Sequence, residues 1–148
     1  MKYFYFVVIY LINLYSYSQT VYQTSSNGPW SSSSTWLGNN QPPGTLPFGD
    51  TIYVNHIIDF NNDVINEGVI IIDSNAFLDG SSSSNNIEVI DKGELINYGK
   101  VYVGRMTIET NSCLAANIYL PRANNYGLLF TEHDLTVGSN SGCGSLFN

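Results

Sequence analysis

The sequence predicts an all-β fold, a short single-domain right-handed parallel β-helix (β-solenoid), and three observations favour it. The chain has 148 residues, only 11% of them charged, and residues 19–148 contain 17 Asn and 13 Gly but 4 Ala. The middle of the chain is a series of short β-branched runs, and one segment of it recurs 25 residues later. An antiparallel β-sandwich is the alternative architecture.

Residues 1–18 have the parts of a cleavable signal peptide. Lys2 supplies a positive charge, an apolar run extends from Tyr3 to Tyr15, and small residues precede Gln19. A membrane anchor is the alternative, but a helical span needs about 20 apolar residues. We therefore expect cleavage between Ser18 and Gln19, a secreted or cell-surface protein, and no membrane insertion afterwards.

Charge and cysteine content narrow the partners. The formal net charge is −7, which disfavours nucleic acid and anionic membranes because both attract basic surfaces. In an oxidising compartment Cys113 and Cys143 are most simply one disulfide. A metal role is the weaker alternative, since zinc takes four ligands and neither His lies at ligand spacing from a Cys.

Residues 19–49 form a Ser-, Asn- and Pro-rich stretch that cannot propagate a helix. It carries Trp30 and Trp36, for which two interpretations stay open. Either the segment folds back as a cap over one end of the domain, or the two indoles form a platform on which sugars stack.

Residues 50–148 are assigned to the solenoid domain. Six runs of three to five residues, each bounded by Gly, Asn, Asp or Ser, read as strands: Thr51–Val54, His56–Ile58, Val69–Ile72, Ile87–Ile90, Lys100–Val103 and Met106–Glu109. Segments such as Ile70–Ile72 do not alternate between polar and apolar, as strands of a sandwich usually do.

The internal repeat indicates how the strands connect. Residues 64–71 recur as residues 89–96, and a third, overlapping copy begins at Leu95. Each copy holds Asn or Asp, any residue, then Gly, a combination that accepts the left-handed conformations of a tight corner. Corners this close together favour a coil whose strands turn around an apolar column.

The remaining segments are less regular. Asp79–Asn86 reads as a loop that bulges from one corner, with a flexible linker as its rival. Residues 115–120 are a strand or one helical turn, and Leu128–Thr131 and Leu135–Val137 are expected to be strands. No terminal cap is recognisable after them, so either a longer parent protein continues the solenoid or the disulfide and tail close it.

The opening of the putative mature chain resembles a known group of proteins. Trp30, Trp36, the Pro42-Pro43-Gly44 cluster, Gly49-Asp50 and the strand Thr51–Val54 are similar to the opening of secreted parallel β-helix proteins of flavobacteria and of the G8 domain. The resemblance covers about residues 30–104 and implies an extracellular β-helical module, adhesin-like or ligand-binding. It brings no established catalytic centre with it.

Candidate sites were weighed residue by residue. Asp59–Asp63 has oxygen ligands at alternate positions, but Val64 replaces the required Gly of a calcium loop, so an acidic turn is favoured. His56 and His133 have no Gly-x-Ser-x-Gly elbow to serve, and the cations are scattered. A glycosidase carboxylate pair stays open, because its spacing is spatial.

We therefore expect a non-enzymatic exported β-solenoid module with a structural, adhesin-like or ligand-binding role, with no cofactor or metal. Its expected partner is an extracellular polysaccharide or a cell-surface protein. The alternative is a carbohydrate-binding or polysaccharide-degrading β-helix, in which the stacking residues would come from Trp30, Trp36, Tyr53, Tyr98 and Tyr102. A fragment of a larger surface protein is the third hypothesis.

Overall fold

The chain winds into a parallel β-solenoid. The computed structural model describes residues 18–109, 121–138 and 145–148. In these residues the strands β1 to β16 are, in chain order, Val21–Gln23, Gly28–Pro29, Thr45–Leu46, Thr51–Val54, Ile57–Asp59, Val64–Asn66, Val69–Ile72, Phe77–Asp79, Asn86–Ile90, Glu94–Asn97, Lys100–Val103, Arg105–Glu109, Arg122–Asn125, Leu128–Thr131, Leu135–Val137 and Ser145–Phe147.

Every third strand belongs to the same sheet. Sheet 1 has the order β1-β4-β7-β10-β13-β16, sheet 2 is β2-β5-β8-β11-β14, and sheet 3 is β3-β6-β9-β12-β15. All pairings between these strands are parallel. The β-helix prediction is therefore confirmed over the sandwich, which needs antiparallel ladders.

The core is one apolar column inside the coils. Along each sheet the strand register places side chains of the same orientation above one another, as in Ile52, Ile70 and Leu95 of sheet 1, which are 0%, 0% and 1% exposed. Burying apolar surface contributes about 25 cal/mol per Å². This stacked aliphatic column is therefore the main source of stability in a chain with few ion pairs.

The first coil starts before the boundary predicted at Asp50. Residues 19–49 supply the first strand of each sheet, and the segment between β2 and β3 contains two 3₁₀ turns, Ser33–Thr35 and Leu37–Asn39. This segment returns to the corner after β1, where the Ser25 N–H donates to the Thr35 carbonyl, 2.8 Å away. It is thus a coil with an insertion that folds back across it.

The two tryptophans lie inside that first coil. Trp30 and Trp36 are 0% and 1% exposed, and their rings meet edge to face with centroids 4.9 Å apart. Trp30 also packs edge to face on Phe60 at 5.3 Å. The indole N–H of Trp36 donates to the Trp30 carbonyl at 2.8 Å. Both indoles are therefore core residues that close the apolar column.

The recurring Gly marks corners, for a reason other than the one expected. Gly93 is not among the residues with positive φ. A Cβ on Gly93 would instead lie 1.9 Å from the Asn66 carbonyl oxygen of the preceding coil. Close stacking of backbone on backbone therefore requires the Gly, whereas the left-handed conformation of this corner falls on Asp91, at φ 52°.

Two of the three repeat copies occupy equivalent corners. Residues 64–71 and 89–96 both lead from sheet 3 into sheet 1, where Val69 pairs with Glu94. The copy that begins at Leu95 leads from sheet 1 into sheet 2 instead. The kernel therefore marks bends in general and does not count coils.

Corner lengths vary between coils. The loop predicted at Asp79–Asn86 is confirmed and spans residues 80–85 between β8 and β9, while Gly104 alone makes the same turn one coil later. The predicted element at 115–120, Cys113, Cys143 and residues 1–17 of the predicted signal peptide lie outside the described residues. Within the described residues, neither 3₁₀ turn nor any other helix has the length and hydropathy that a membrane crossing requires.

Candidate functional site

The outer face of sheet 2 carries a cluster of exposed aromatic side chains in the last two described coils. We call Tyr98, Tyr102, Tyr126 and Phe130 the aromatic strip. Tyr102 on β11 is in register with Phe130 on β14, and Lys100 is in register with Leu128. Because neighbouring positions of a strand point to opposite faces, Val101 between Lys100 and Tyr102 is buried in the column. The alternation thus brings the outward residues of two coils together.

The first pair of the strip stands at the corner between sheets 1 and 2. The sequence Asn-Tyr-Gly occupies this corner twice, at residues 97–99 and 125–127. Tyr98 and Tyr126 are 50% and 69% exposed. Their rings stack with centroids 5.2 Å apart and planes 11° apart. The repeated corner therefore positions two tyrosines one above the other on the surface.

The corner beneath these tyrosines is rigid. The side-chain amide of Asn97 donates to Oδ1 of Asn125 at 2.8 Å and to the Leu128 carbonyl at 3.0 Å, while its own Oδ1 accepts from the Gly99 N–H at 3.0 Å. Asn125 donates in turn to Oδ1 of Asn148 at 2.6 Å. This asparagine ladder satisfies the buried corner polar groups and holds both tyrosines outward.

The second pair lies on the strands. The rings of Tyr102 and Phe130 have centroids 6.3 Å apart and planes 29° apart, and Phe130 is 52% exposed. Leu128, 51% exposed, lies between the two pairs along the chain. Exposed aromatic and apolar groups on this scale mark interaction surfaces more often than isolated apolar residues do.

The same face becomes acidic in the preceding coils. Asp59 of β5 and Asp79 of β8 continue the register row that contains Tyr102 and Phe130. Oδ1 of Asp79 accepts from the Ser81 N–H at 3.0 Å, and Oδ1 of Asp59 accepts from the Ser82 hydroxyl at 3.2 Å. Carboxylates bordering an aromatic surface give it both stacking and hydrogen-bonding groups.

The sequence-predicted stacking residues separate into three places. Tyr98 and Tyr102 lie together in the aromatic strip. Tyr53 is 38% exposed but belongs to β4 of sheet 1, on another face. Trp30 and Trp36 have no exposed ring face on which a ligand could stack. The burial of both indoles supports their interpretation as part of an end cap.

Sequence reasoning missed Tyr126 and Phe130. The signal that would have found Tyr126 is the second Asn-Tyr-Gly, 28 residues after the first. Phe130 follows from the same alignment, because it stands four residues after Tyr126 as Tyr102 stands four after Tyr98.

The acidic turn at Asp59–Asp63 forms bonds within the fold. Asn61 accepts from the Ser31 N–H at 3.1 Å, and Asp63 accepts from the Asn86 N–H at 2.8 Å. These bonds tie the turn to the coils on either side, as its interpretation as a structural turn requires. In residues 18–109, 121–138 and 145–148 no group of three or more His, Cys, Asp or Glu side chains is placed to hold a metal ion.

The most ordered charges lie on sheet 1. Nε and an Nη of Arg122 contact the two carboxylate oxygens of Glu94 at 2.8 and 2.9 Å. The hydrogen bonds to Glu94, then its negative charge, raise the pKa of Arg122. Asn124 donates a third bond to Glu94 at 2.8 Å. All three partners hold this carboxylate in place, so it serves the sheet surface.

His56 and His133 lie apart. Nδ1 of His56 shares a 2.9 Å hydrogen bond with the Thr24 hydroxyl. The backbone N–H of His133 donates to the Gly104 carbonyl at 2.8 Å. One histidine is thus tied to the first coil and the other to the last corner of sheet 2.

Comparisons with known proteins add no relative. No family model matches the chain, and neither curated proteins nor solved structures gave a significant match. The resemblance to flavobacterial β-helices and G8 openings therefore stays a prediction.

Proposed function

We propose that this chain is an exported, non-enzymatic β-solenoid module that binds an extracellular carbohydrate through the aromatic strip. The observation that supports it is the pairing of exposed rings on adjacent coils, Tyr98 with Tyr126 and Tyr102 with Phe130. Export rests on the signal-like residues 1–18, and the passive mechanism rests on the rigid coils that carry the rings.

The chemistry of the strip suits a sugar polymer. Aromatic rings offer large, rigid, apolar contact area, and the Tyr hydroxyl adds a polar group at its edge. The C–H faces of a pyranose pack on such rings while its hydroxyls need hydrogen-bond partners. Asp79 and the Ser-rich loop at residues 80–85 lie on the same side of the solenoid and supply them.

The solenoid also repeats its contacts. Neighbouring parallel strands lie about 4.8 Å apart, so equivalent rings recur at a regular interval along the axis. A ligand made of repeated units can contact successive coils in the same way. This periodicity favours a polysaccharide over a compact small molecule.

The test measures binding of the purified full chain to a panel of soluble polysaccharides by affinity electrophoresis and calorimetry. Tyr126→Ala and Phe130→Ala each remove one exposed ring, and we expect each to weaken binding about fivefold to tenfold, because one ring contact contributes about 1 kcal/mol. Tyr53→Ala is the matched control, because it removes a partly exposed tyrosine from sheet 1. Thermal unfolding confirms that each variant is folded.

Three outcomes would contradict the proposal: no polysaccharide bound at all, binding unchanged in both strip variants, or equal loss in Tyr53→Ala. Release of new reducing ends from a bound polysaccharide would show a degrading enzyme and would overturn the non-enzymatic part. We expect the reducing-end signal to stay at the level of the polysaccharide alone.

A further inference from the structure

The two ends of the solenoid differ in how they treat their edge strands. At the N-terminal end, the edges of sheets 2 and 3 are β2 and β3, each of two residues. Pro29 lies within β2 and Pro47 follows β3. Very short edges and proline are devices that prevent another chain from pairing there. Trp30 and Trp36 are buried in the same coil.

The C-terminal end carries longer edges without such protection. Here the edges of sheets 2 and 3 are β14, Leu128–Thr131, and β15, Leu135–Val137. Neither strand contains a proline or a charged residue. Each presents a row of backbone donors and acceptors with no further strand of its sheet beside it among the described residues.

The apolar column is also incomplete at this end. Leu135 and Val137 are in register with Met106 and Ile108 of β12 and therefore point inward. Both are 42% exposed, whereas Met106 and Ile108 are fully buried. A cavity of about 140 Å³ lies beside them, lined by Asn125, Leu129, Thr131, Leu135 and Asn148. Core positions are thus open to solvent next to unpaired edges.

We propose that a second copy of this chain docks on this end, with the C-terminal edges of the two copies facing each other about a two-fold axis. A strand edge is complementary to the same edge turned by a half rotation, because the two then pair as antiparallel strands. Pairing β14 with its own copy keeps Leu129 of both chains on the inner face. The exposed Leu135 side chains then enclose one another in a shared column.

The protected N-terminal end sets the size of the assembly. Stacking of head on tail would need β2 and β3 to pair with β14 and β15 of the next copy, and would grow into a filament. The short, proline-bearing edges disfavour that arrangement. The interaction therefore closes at two copies.

Sedimentation-velocity ultracentrifugation of the purified full chain over a hundredfold concentration range tests the proposal. We expect a monomer–dimer equilibrium and no larger species. Leu135→Lys places a charge in the open column and is expected to weaken the dimer at least tenfold. Thr136→Lys is the matched control, because it puts the same charge on the outward side of β15 and should leave the dimer intact.

Val137→Thr, which keeps the side-chain shape, serves as a second variant should Leu135→Lys unfold, and we expect a several-fold weaker dimer. A monomer at every concentration would overturn the proposal, as would an open-ended series of oligomers. A dimer that survives Leu135→Lys and Val137→Thr but is lost in Phe130→Ala would also overturn it, since the aromatic strip would then be the interface.

Discussion

The side-chain amide of Asn97 lies 2.8 Å from Oδ1 of Asn125, and this bond joins the same corner of two successive coils. Asn97 is 1% exposed and Asn125 is 9% exposed. Each belongs to an Asn-Tyr-Gly corner whose tyrosine points to solvent. The buried polar ladder and the exposed aromatic pair are therefore two sides of one structural unit.

Asn97→Ala is expected to lower the free energy of unfolding by about 2 to 3 kcal/mol, because the Gly99 N–H, the Leu128 carbonyl and Asn125 all lose a partner. Urea unfolding measures the change. Asn124→Ala is the control, since Asn124 donates only to the surface carboxylate of Glu94, and it should cost less than about 1 kcal/mol. Equal effects would contradict a special role for the ladder.

Gly93→Ala is expected to destabilise by about 3 kcal/mol, because the added methyl group would meet the backbone of the preceding coil. Gly44→Ala is the comparison. Its Cβ would have only the Asp63 carbonyl oxygen nearby, at 4.0 Å, so its effect should lie within about 0.5 kcal/mol of zero. Thermal melts of both variants test whether close stacking, and not backbone φ, requires the corner glycine.

The two indoles should respond differently to the same substitution. Trp36→Phe creates a cavity and also removes the donor to the Trp30 carbonyl. Trp30→Phe creates a cavity too, but its Nε1 is buried without a hydrogen-bond partner. We therefore expect Trp36→Phe to be the more destabilising by about 1 to 2 kcal/mol. The reverse order in chemical denaturation would show that cavity shape outweighs the hydrogen bond.

The two described ion pairs offer another matched test. Arg122→Gln is expected to cost about 1 kcal/mol at low salt, because the Glu94 pair has two bonds and Asn124 orders its carboxylate. Arg105 meets Asp134 at 3.1 Å with both side chains more than half exposed, so Arg105→Gln should be nearly neutral. Unfolding at low and high salt should show the first cost shrinking, since salt screens surface charges.

Most of the coil architecture could be predicted from local pattern. The β-branched runs at Thr51–Val54, Val69–Ile72 and Lys100–Val103 are strands with the predicted bounds. One argument against the sandwich was nevertheless wrong, because residues 70–72 do alternate. Ile71 points outward and is half-buried beside its register neighbours Tyr53 and Ile96. An apolar residue on the outer face hid the period of two.

What the pattern could not supply depends on distance along the chain. β1 to β3 are short and polar in sequence, and they become strands because the second coil offers them a template. Pairing of Val21 with Thr51 is set by residues far from either. The aromatic strip was half predicted for a related reason. Tyr98 and Tyr102 were named, but their neighbours come from the next coil, and coil lengths differ too much for a fixed spacing to reveal them.

The unequal bends between sheets 2 and 3 have a practical consequence. One coil crosses this edge with residues 80–85 and the next with Gly104 alone, yet the strands on both sides keep register, with Ile87 beside Met106. Chain length at this edge is therefore uncoupled from the stacking of the body. Foreign peptides grafted between the exposed residues Ser81 and Ser82 should be displayed without disturbing the scaffold, on the side that leads into the sugar-binding surface we propose.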